Sequence, residues 1–286
     1  MFTLAEFDLN VDHTMPPPEP EGWERQWFGY YQMTKTATDS ERRNPEFRRL
    51  FQRDSYHEGE LEILAFLTVL REFAGEHVRF FELGSGRAPW CMALAGAVGF
   101  RFLPTPPSSY QILAVEAEPT HFEWSREHLS RQGIAADVVH GAVTGQMGTV
   151  RFKADDPPTA HMGQCVRPDG NIEVPSYTID HLRRTYGFGR INLIHMDLQG
   201  QEAEAFKGAR ECLDNGLIDY IIAGTHGSAV EQALKDSLAP THHLLVELPQ
   251  HETRQLGGVA KPFHATTDGV HVYGRKDMPE RATGAQ

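Results

Sequence analysis

The sequence predicts an α/β fold: a doubly wound, seven-stranded, mostly parallel sheet with helices on both faces and an N-terminal helical extension. Two observations carry that prediction. From residue 77 onward short apolar runs alternate with stretches of helical period, the pattern of parallel strands joined by crossover helices. One of those runs, Arg79-Phe80-Phe81-Glu82-Leu83, stops at Gly84-Ser85-Gly86, where residues without a Cβ let the backbone turn sharply and approach a ligand. The segment after it, Trp90 to Val98, suits a helix whose free N–H groups point back at that turn.

The remaining elements follow in order. Residues 1–22 carry Pro16-Pro17-Pro18 and Pro20 among acidic residues, which predicts an extended arm. Trp23 to Tyr31 is rich in aromatic residues and is expected to fold back on the body or on a neighbouring subunit, which makes a homodimer compatible with the sequence. Asn44-Pro45 opens a helix, since proline suits the first helical position. A longer helix is predicted from about Glu58 to Phe73, ended by Gly75, on the apolar stripe Leu61, Leu64, Ala65, Thr68 and Leu70 to Phe73. Strands are expected at His77–Leu83, Gln111–Glu116, Asp137–His140, Ile191–Met196, Asp219–Ala223, His242–Glu247 and Gly269–Tyr273. Helices are expected at Pro89–Val98, Thr120–Gln132, Ser176–Tyr186, Gln201–Leu213 and Ser228–Leu238. Between them lie an irregular, proline-rich connection over 101–109, a strand at Gly148–Phe152 and a polar loop over 155–170. The domain organisation read from this is an arm and helical cover over 1–75, a ligand-binding domain over 76–275 and a flexible tail over 276–286.

Composition narrows the function classes. A hydrophobic fraction of 40% is enough for a sizeable core, and no apolar run reaches a membrane span, which needs about 18–20 residues. The first residues, Met1 to Asp8, show neither the basic nor the apolar region of a signal peptide. Cys91, Cys165 and Cys212 are odd in number and scattered, as free thiols of a reducing cytosol would be. A formal charge of −12 argues against binding a phosphate backbone. The expectation is a cytoplasmic protein with a small-molecule or carbohydrate partner, bound to neither nucleic acid nor membrane.

The ligand at the glycine turn is narrowed by what is missing. A dinucleotide fingerprint needs a third small residue where Pro89 stands, and the phosphate-cradling glycine-lysine pattern is absent. S-adenosylmethionine fits better, because it offers an amino group, a carboxylate and a ribose diol but no phosphate. Glu82 at the strand end could face the amino group, directly or through water. Glu116, ending the next strand, could accept both ribose hydroxyls; alternatively it is a surface residue opening the turn at Glu118-Pro119.

Glu82-Leu83-Gly84-Ser85-Gly86 with Val115-Glu116 resembles the first two motifs of the class I, Rossmann-like, S-adenosylmethionine-dependent methyltransferases. Downstream, Gly141-Ala142-Val143, Gly148-Thr149-Val150-Arg151-Phe152, Val174 to Asp180, and His195-Met196-Asp197-Leu198-Gln199-Gly200-Gln201-Glu202 ahead of Gly208-Ala209 are similar to the FkbM family. The resemblance covers roughly residues 78–275 and departs from the family at His195, commonly lysine there, and at Ala223 to Gly227, where a glutamate often stands. It implies a methyltransferase acting on a hydroxyl of a sugar or secondary metabolite. It further implies cofactor contacts at Glu82, Gly84, Ser85, Gly86, Glu116, Ala117, Ala142 and Asp197.

Asp197 and His226 sit at the ends of the fourth and fifth strands, where open α/β sheets hold ligands. They are the catalytic candidates: His226 as base for the acceptor hydroxyl and Asp197 as its orienter or as a metal ligand. No metal is expected, although Asp197, Glu202 and His226 are the donors a divalent ion would use. Asp197 and Glu202 could equally cap the following helix, and His195 reads as a hydrogen-bonded core histidine. Two other readings stay open: a non-catalytic binding or assembly protein on a methyltransferase scaffold, and a nicotinamide-dependent dehydrogenase, disfavoured by Pro89.

Overall fold

The computed structural model describes residue 4 and residues 23–25, 31–33, 55–100, 103–155, 163–256 and 259–278. Ahead of the sheet lie strands β1 (Trp23–Arg25) and β2 (Tyr31–Met33), which pair antiparallel. Strand β3 (Tyr56–His57) leads into helix α1 (Glu58–Arg71). The His57 ring accepts from the Gly59 N–H while Glu60 accepts from the His57 N–H, a reciprocal cap that satisfies two orphan donors. The helix expected after Asn44-Pro45 and the proline-rich arm lie outside the described residues.

The central elements are β4 (His77–Leu83), α2 (Pro89–Phe100), β5 (Ser109–Glu116), α3 (Pro119–Arg131) and β6 (Asp137–His140). Four short strands follow: β7 (Ala142–Val143), β8 (Gly148–Lys153), β9 (Cys165–Val166) and β10 (Ile172–Tyr177). Helix α4 (Ile179–Thr185) returns the chain to β11 (Ile191–Met196), and α5 (Glu202–Lys207) and α6 (Arg210–Asp214) lead to β12 (Ile218–Thr225). The last elements are α7 (Ser228–Leu238), β13 (His242–Leu248), β14 (Thr253–Arg254), β15 (Phe263–His264) and β16 (Gly269–Arg275).

The seven-stranded sheet has the order β13-β16-β12-β11-β4-β5-β6. Strands β12, β11, β4, β5 and β6 are mutually parallel, and β16 runs antiparallel to both of its neighbours. Alternation along the strands separates two cores. Phe80, Ile112, Leu193 and Ile222 face α1 and α2 on one side, while Phe81, Leu113, Ile194 and Ile221 face α4 to α7 on the other. Helix α1 is therefore a layer of the domain: its Leu61, Ala65, Phe66 and Val69 are fully buried in the first core. At the amino end of the sheet Asp219 accepts from Arg190, Arg275 and Asn192, and Asn192 in turn accepts from the Arg79 N–H, which ties β4, β11, β12 and β16 together. Among the described residues no helix is long and apolar enough to cross a membrane.

Three expectations are corrected. Residues 172–177 form a strand paired with β8, so the helix expected from Ser176 begins only at Ile179, capped by the Thr178 hydroxyl. The single helix expected over Gln201–Leu213 is two. Gly208 packs against the Thr144 carbonyl and Thr178, where any Cβ would sit at 2.7 Å, and Asp180 accepts from Glu211 N and Cys212 N to cap the second helix. The polar loop contains β9, which extends the small sheet β7-β10-β8-β9 that stands over the carboxyl edge of the large one.

Candidate active site at the carboxyl edge of the sheet

Gly84 opens the turn after β4 at φ +76°, a conformation that costs little without a side chain. Its α-carbon also abuts β11: a Cβ there would lie 2.0 Å from the Asp197 carbonyl oxygen. The N–H groups of Gly84 and Ser85 both donate to the Val115 carbonyl at 2.9 Å. Gly86 N donates to Glu116 Oε2 at 2.6 Å, and the Ser125 hydroxyl donates to the Gly86 carbonyl at 2.8 Å. The loop is thus held from β5, α3 and β11 together.

A concave cavity opens beside it, lined among others by Gly84, Glu116, Ala117, Ala142, Phe152 and Asp197. Five sequence-predicted contacts therefore share one wall: Gly84, Glu116, Ala117, Ala142 and Asp197. The others stand behind it. Ser85 is buried with its hydroxyl 3.2 Å from that of Ser125, and Gly86 is turned to Glu116. Glu82 does not line the cavity. Its two oxygens accept from Trp90 N at 3.2 Å and Cys91 N at 2.7 Å, so it caps the start of α2, and burial pushes its carboxyl up to about 8 against those hydrogen bonds. Facing a cofactor amino group is not the placement it has here. Glu116 accepts from Gly86 N and Glu118 N, leaving lone pairs toward the cavity, and burial raises its carboxyl.

Sequence reasoning missed His121, Phe152, Gln164, Val166 and Gln199, which also line the cavity. Phe152 comes from β8, a strand the sequence predicted without its role, while Gln164 and Val166 come from β9 and the loop before it, where a strand of two residues leaves no periodic signal. The signal that could have found Gln199 is its place in the Asp197–Glu202 stretch. The residue takes φ +52° in the turn Asp197 to Gly200 and donates to Asp197 Oδ1 at 2.7 Å.

The second half of the site is a knot of acids and imidazoles. His226 Nδ1 lies 3.1 Å from Glu202 Oε1, and its Nε2 lies 3.5 Å from Asp197 Oδ1 and 3.1 Å from Asp268 Oδ1. Burial alone would lower the imidazole; Asp268, Glu202 and Asp197 overcome it and hold the ring up at about 11. The three carboxylates thus favour the protonated ring, which weighs against the base role expected of His226. Asp197 is pushed up to about 7, first by enclosure and then by Asp268, Glu202 and Glu62, with His226 opposing. Its side chain keeps 36% exposure and is among those lining the cavity. Glu202 is fully buried and accepts from Leu198 N and Gly200 N, which shapes the turn carrying Asp197. His195 stacks on Trp90 at 4.3 Å, and its Nε2, 3.6 Å from Glu62 Oε1, makes no hydrogen bond, unlike the satisfied core histidine expected. Asp197, Glu202 and His226, the three donors the sequence suggested for an ion, each bring one ligand-type atom within 4.8 Å of the others.

The methyltransferase FkbM domain matches residues 105–251, more than half of the chain. A curated protein of Jannaschia sp. (strain CCS1), described as "Putative methyltransferase", is 27% identical over 243 residues, 79% of this chain and 82% of its own. Among solved structures, a precorrin-6y C5,15-methyltransferase from Geobacter metallireducens GS-15 is similar at 8% identity, over 77% of this chain and 88% of its own, with a TM-score of 0.42. An rRNA methylase from Streptococcus thermophilus is similar at 11% identity, over 75% of this chain and 96% of its own, with a TM-score of 0.41. On the match of its FkbM domain, the chain belongs to the FkbM family of methyltransferases.

Proposed function

We propose that the chain transfers a methyl group from S-adenosylmethionine to a hydroxyl of a sugar or secondary metabolite. The observation that carries this reading is the cavity wall on which Glu116, at the end of β5, and Asp197, at the end of β11, flank the Gly84 turn. The residues fit the cofactor. Glu116 would accept from the ribose hydroxyls and Ala117, Ala142, Val143 and Phe152 would face the base, a reading supported by their lining one cavity. The bound sulfonium supplies an already activated methyl carbon. What the protein adds is alignment of the acceptor, an effect worth about 7–11 kcal/mol of the barrier. Asp197 then takes the acceptor proton, a contribution of about 10²–10⁴-fold. The His226 cation, fixed by Glu202, orients that carboxylate.

Calorimetric titration with S-adenosylmethionine tests the reading. The intact protein is expected to bind, and Glu116→Ala to weaken binding by about tenfold or more, the worth of a hydrogen bond to a charged group. Asp197→Asn should keep folding and lose turnover with any acceptor. Failure of the intact protein to bind the cofactor, or unchanged affinity in Glu116→Ala, removes the proposal. Binding without transfer of label to any fraction of a cognate extract supports the non-catalytic reading instead.

A further inference from the structure

We infer that a vicinal diol of the acceptor docks on the α1 side of the sheet's carboxyl edge, one hydroxyl held by Glu62 and His195 and its neighbour turned to Asp197. The inference deepens the methyl-transfer reading and rests on it for the fate of the second hydroxyl. Strand parity brings the partners together. His195 follows Leu193 by two residues on β11, and Gly224 follows Ile222 by two on β12, so both face the layer of α1 and α2. Glu62 comes from near the start of α1 and Trp90 from the start of α2. A Cβ built on Gly224 would have as its nearest neighbours Glu62 Oε1 at 3.6 Å and Asp197 Cβ and Cγ at 3.7 Å. The glycine therefore leaves a space bordered by two carboxyl groups, one from the helix ahead of the sheet and one from the cavity wall. Glu62 keeps 19% side-chain exposure and Asp197 36%, so both are reached from solvent.

Two neighbouring carboxylates do not make a site by themselves; the histidine beside them points to a ligand. His195 is 4% exposed, yet its Nε2 has no hydrogen-bond partner among the described residues. Glu62 Oε1, the oxygen that borders the Gly224 space, stands 3.6 Å from that nitrogen, too far for a hydrogen bond. A buried polar atom left this way is costly, and Trp90 fixes the plane of the ring by stacking on it at 4.3 Å. A hydroxyl serves both groups. It donates to the ionised carboxylate, which can only accept, and it pairs with the imidazole nitrogen in either tautomer. An ammonium, which has no lone pair, would serve that nitrogen in one tautomer only. Because Glu62 Oε1 and Asp197 Cγ both lie within 3.7 Å of one point, adjacent carbons of one ring can present a hydroxyl to each. Asp197 takes the proton of the second hydroxyl as its oxygen bonds to the methyl carbon and the S–CH3 bond breaks, leaving S-adenosylhomocysteine.

The test is NMR titration of the full-length protein with cis- and, separately, trans-cyclohexane-1,2-diol, read at the His195 ring and the Trp90 indole, with cyclohexanol as the single-hydroxyl probe. A diol should shift both signals saturably below about 0.1 M, a range suited to so small a ligand, and cyclohexanol should bind about tenfold more weakly. Gly224→Ala fills the space without a clash, since its Cβ meets nothing closer than 3.6 Å, and should weaken the diol by about fivefold or more. Glu62→Ala should cost about tenfold, the loss of a hydrogen bond to a charged group. Circular dichroism verifies that both variants fold, and Glu123→Gln, at a surface ion pair with Arg126, should leave the affinity unchanged. The inference is overturned by no saturable shift with either diol, by equal affinity for diol and cyclohexanol, or by unchanged diol affinity in either folded variant; His195 then meets a bridging water only. Calorimetry with S-adenosylmethionine, run in parallel, separates the two claims. Cofactor binding without diol uptake removes the subsite and keeps methyl transfer, whereas diol uptake without cofactor binding keeps the subsite and removes its use in methyl transfer.

Discussion

Replacing Gly84 by alanine puts one methyl group where two constraints meet. The backbone stands at φ +76°, and the added Cβ would lie 2.0 Å from the Asp197 carbonyl oxygen and 3.0 Å from its carbon. The left-handed conformation costs an L-residue about 1–2 kcal/mol. The overlap cannot be relieved by turning a side chain, because the obstacle is backbone, and forced displacement in a packed site costs about 1–3 kcal/mol more. Together the loss is about 2–5 kcal/mol, which should lower Tm by roughly 5–15 °C in a domain of this size. Gly133→Ala separates the two causes. Gly133 has φ +66° with nothing within 4 Å of its Cβ position, so it should lose only the conformational part, about 1–2 kcal/mol. Urea unfolding of both variants, with Tm by calorimetry, gives the comparison. Gly84→Ala is further expected to weaken S-adenosylmethionine, since the turn and the carbonyl of Asp197 must move apart at the cavity wall. Equal losses in the two variants would refute the steric argument and with it the claim that the turn is keyed to β11.

Two more outcomes concern stability. His242 is buried, with Nε2 at 3.2 Å from the Ile218 carbonyl, and burial pushes its imidazole from 6.5 down to about 4. Above pH 6.5 the ring is neutral in both states; below it the unfolded chain binds the proton first, so stability is lost as pH falls from about 6.5 toward 4. At about 1.36 kcal/mol per unit the loss approaches about 3 kcal/mol, and the difference between the protein and His242→Gln, followed by urea unfolding, should disappear with it; parallel pH profiles would count against this. Asp219→Ala removes the acceptor of Asn192 Nδ2 and Arg275 Nε at the amino end of four strands, while Arg275 Nη1 keeps Asp277. The expected loss is about 3 kcal/mol, the lower end for a broken buried pair, since Arg190 is partly exposed. A change below about 1 kcal/mol would show the network to be incidental.

Much of the fold was legible because local periodicity encodes it. The bounds of β4, β6, β11 and α7 coincide with those read from the sequence. Each is a mainly apolar run or stripe bounded by glycine or a polar turn, so its own residues go far to settle its state. Of the small sheet only β8 was legible, since β7 and β9 have two residues each and exist through pairing with β10 and β8. The break between α5 and α6 belongs to the same class, decided by Asp180 some 30 positions away.

For the site, the sequence by itself determined which residues reach the carboxyl edge: a strand's last residue and the turn after it follow from where its apolar run stops. Gly84, Glu116, Asp197 and His226 were placed in this way. Only the tertiary structure decided what those residues do there. Glu82 caps the α2 N–H groups, His226 is ringed by three carboxylates that favour its protonated form, and Asp268 enters from a loop held by Glu58. The physical reason is that protonation and hydrogen bonding depend on what packs within a few ångströms, and those neighbours come from segments far apart in the chain.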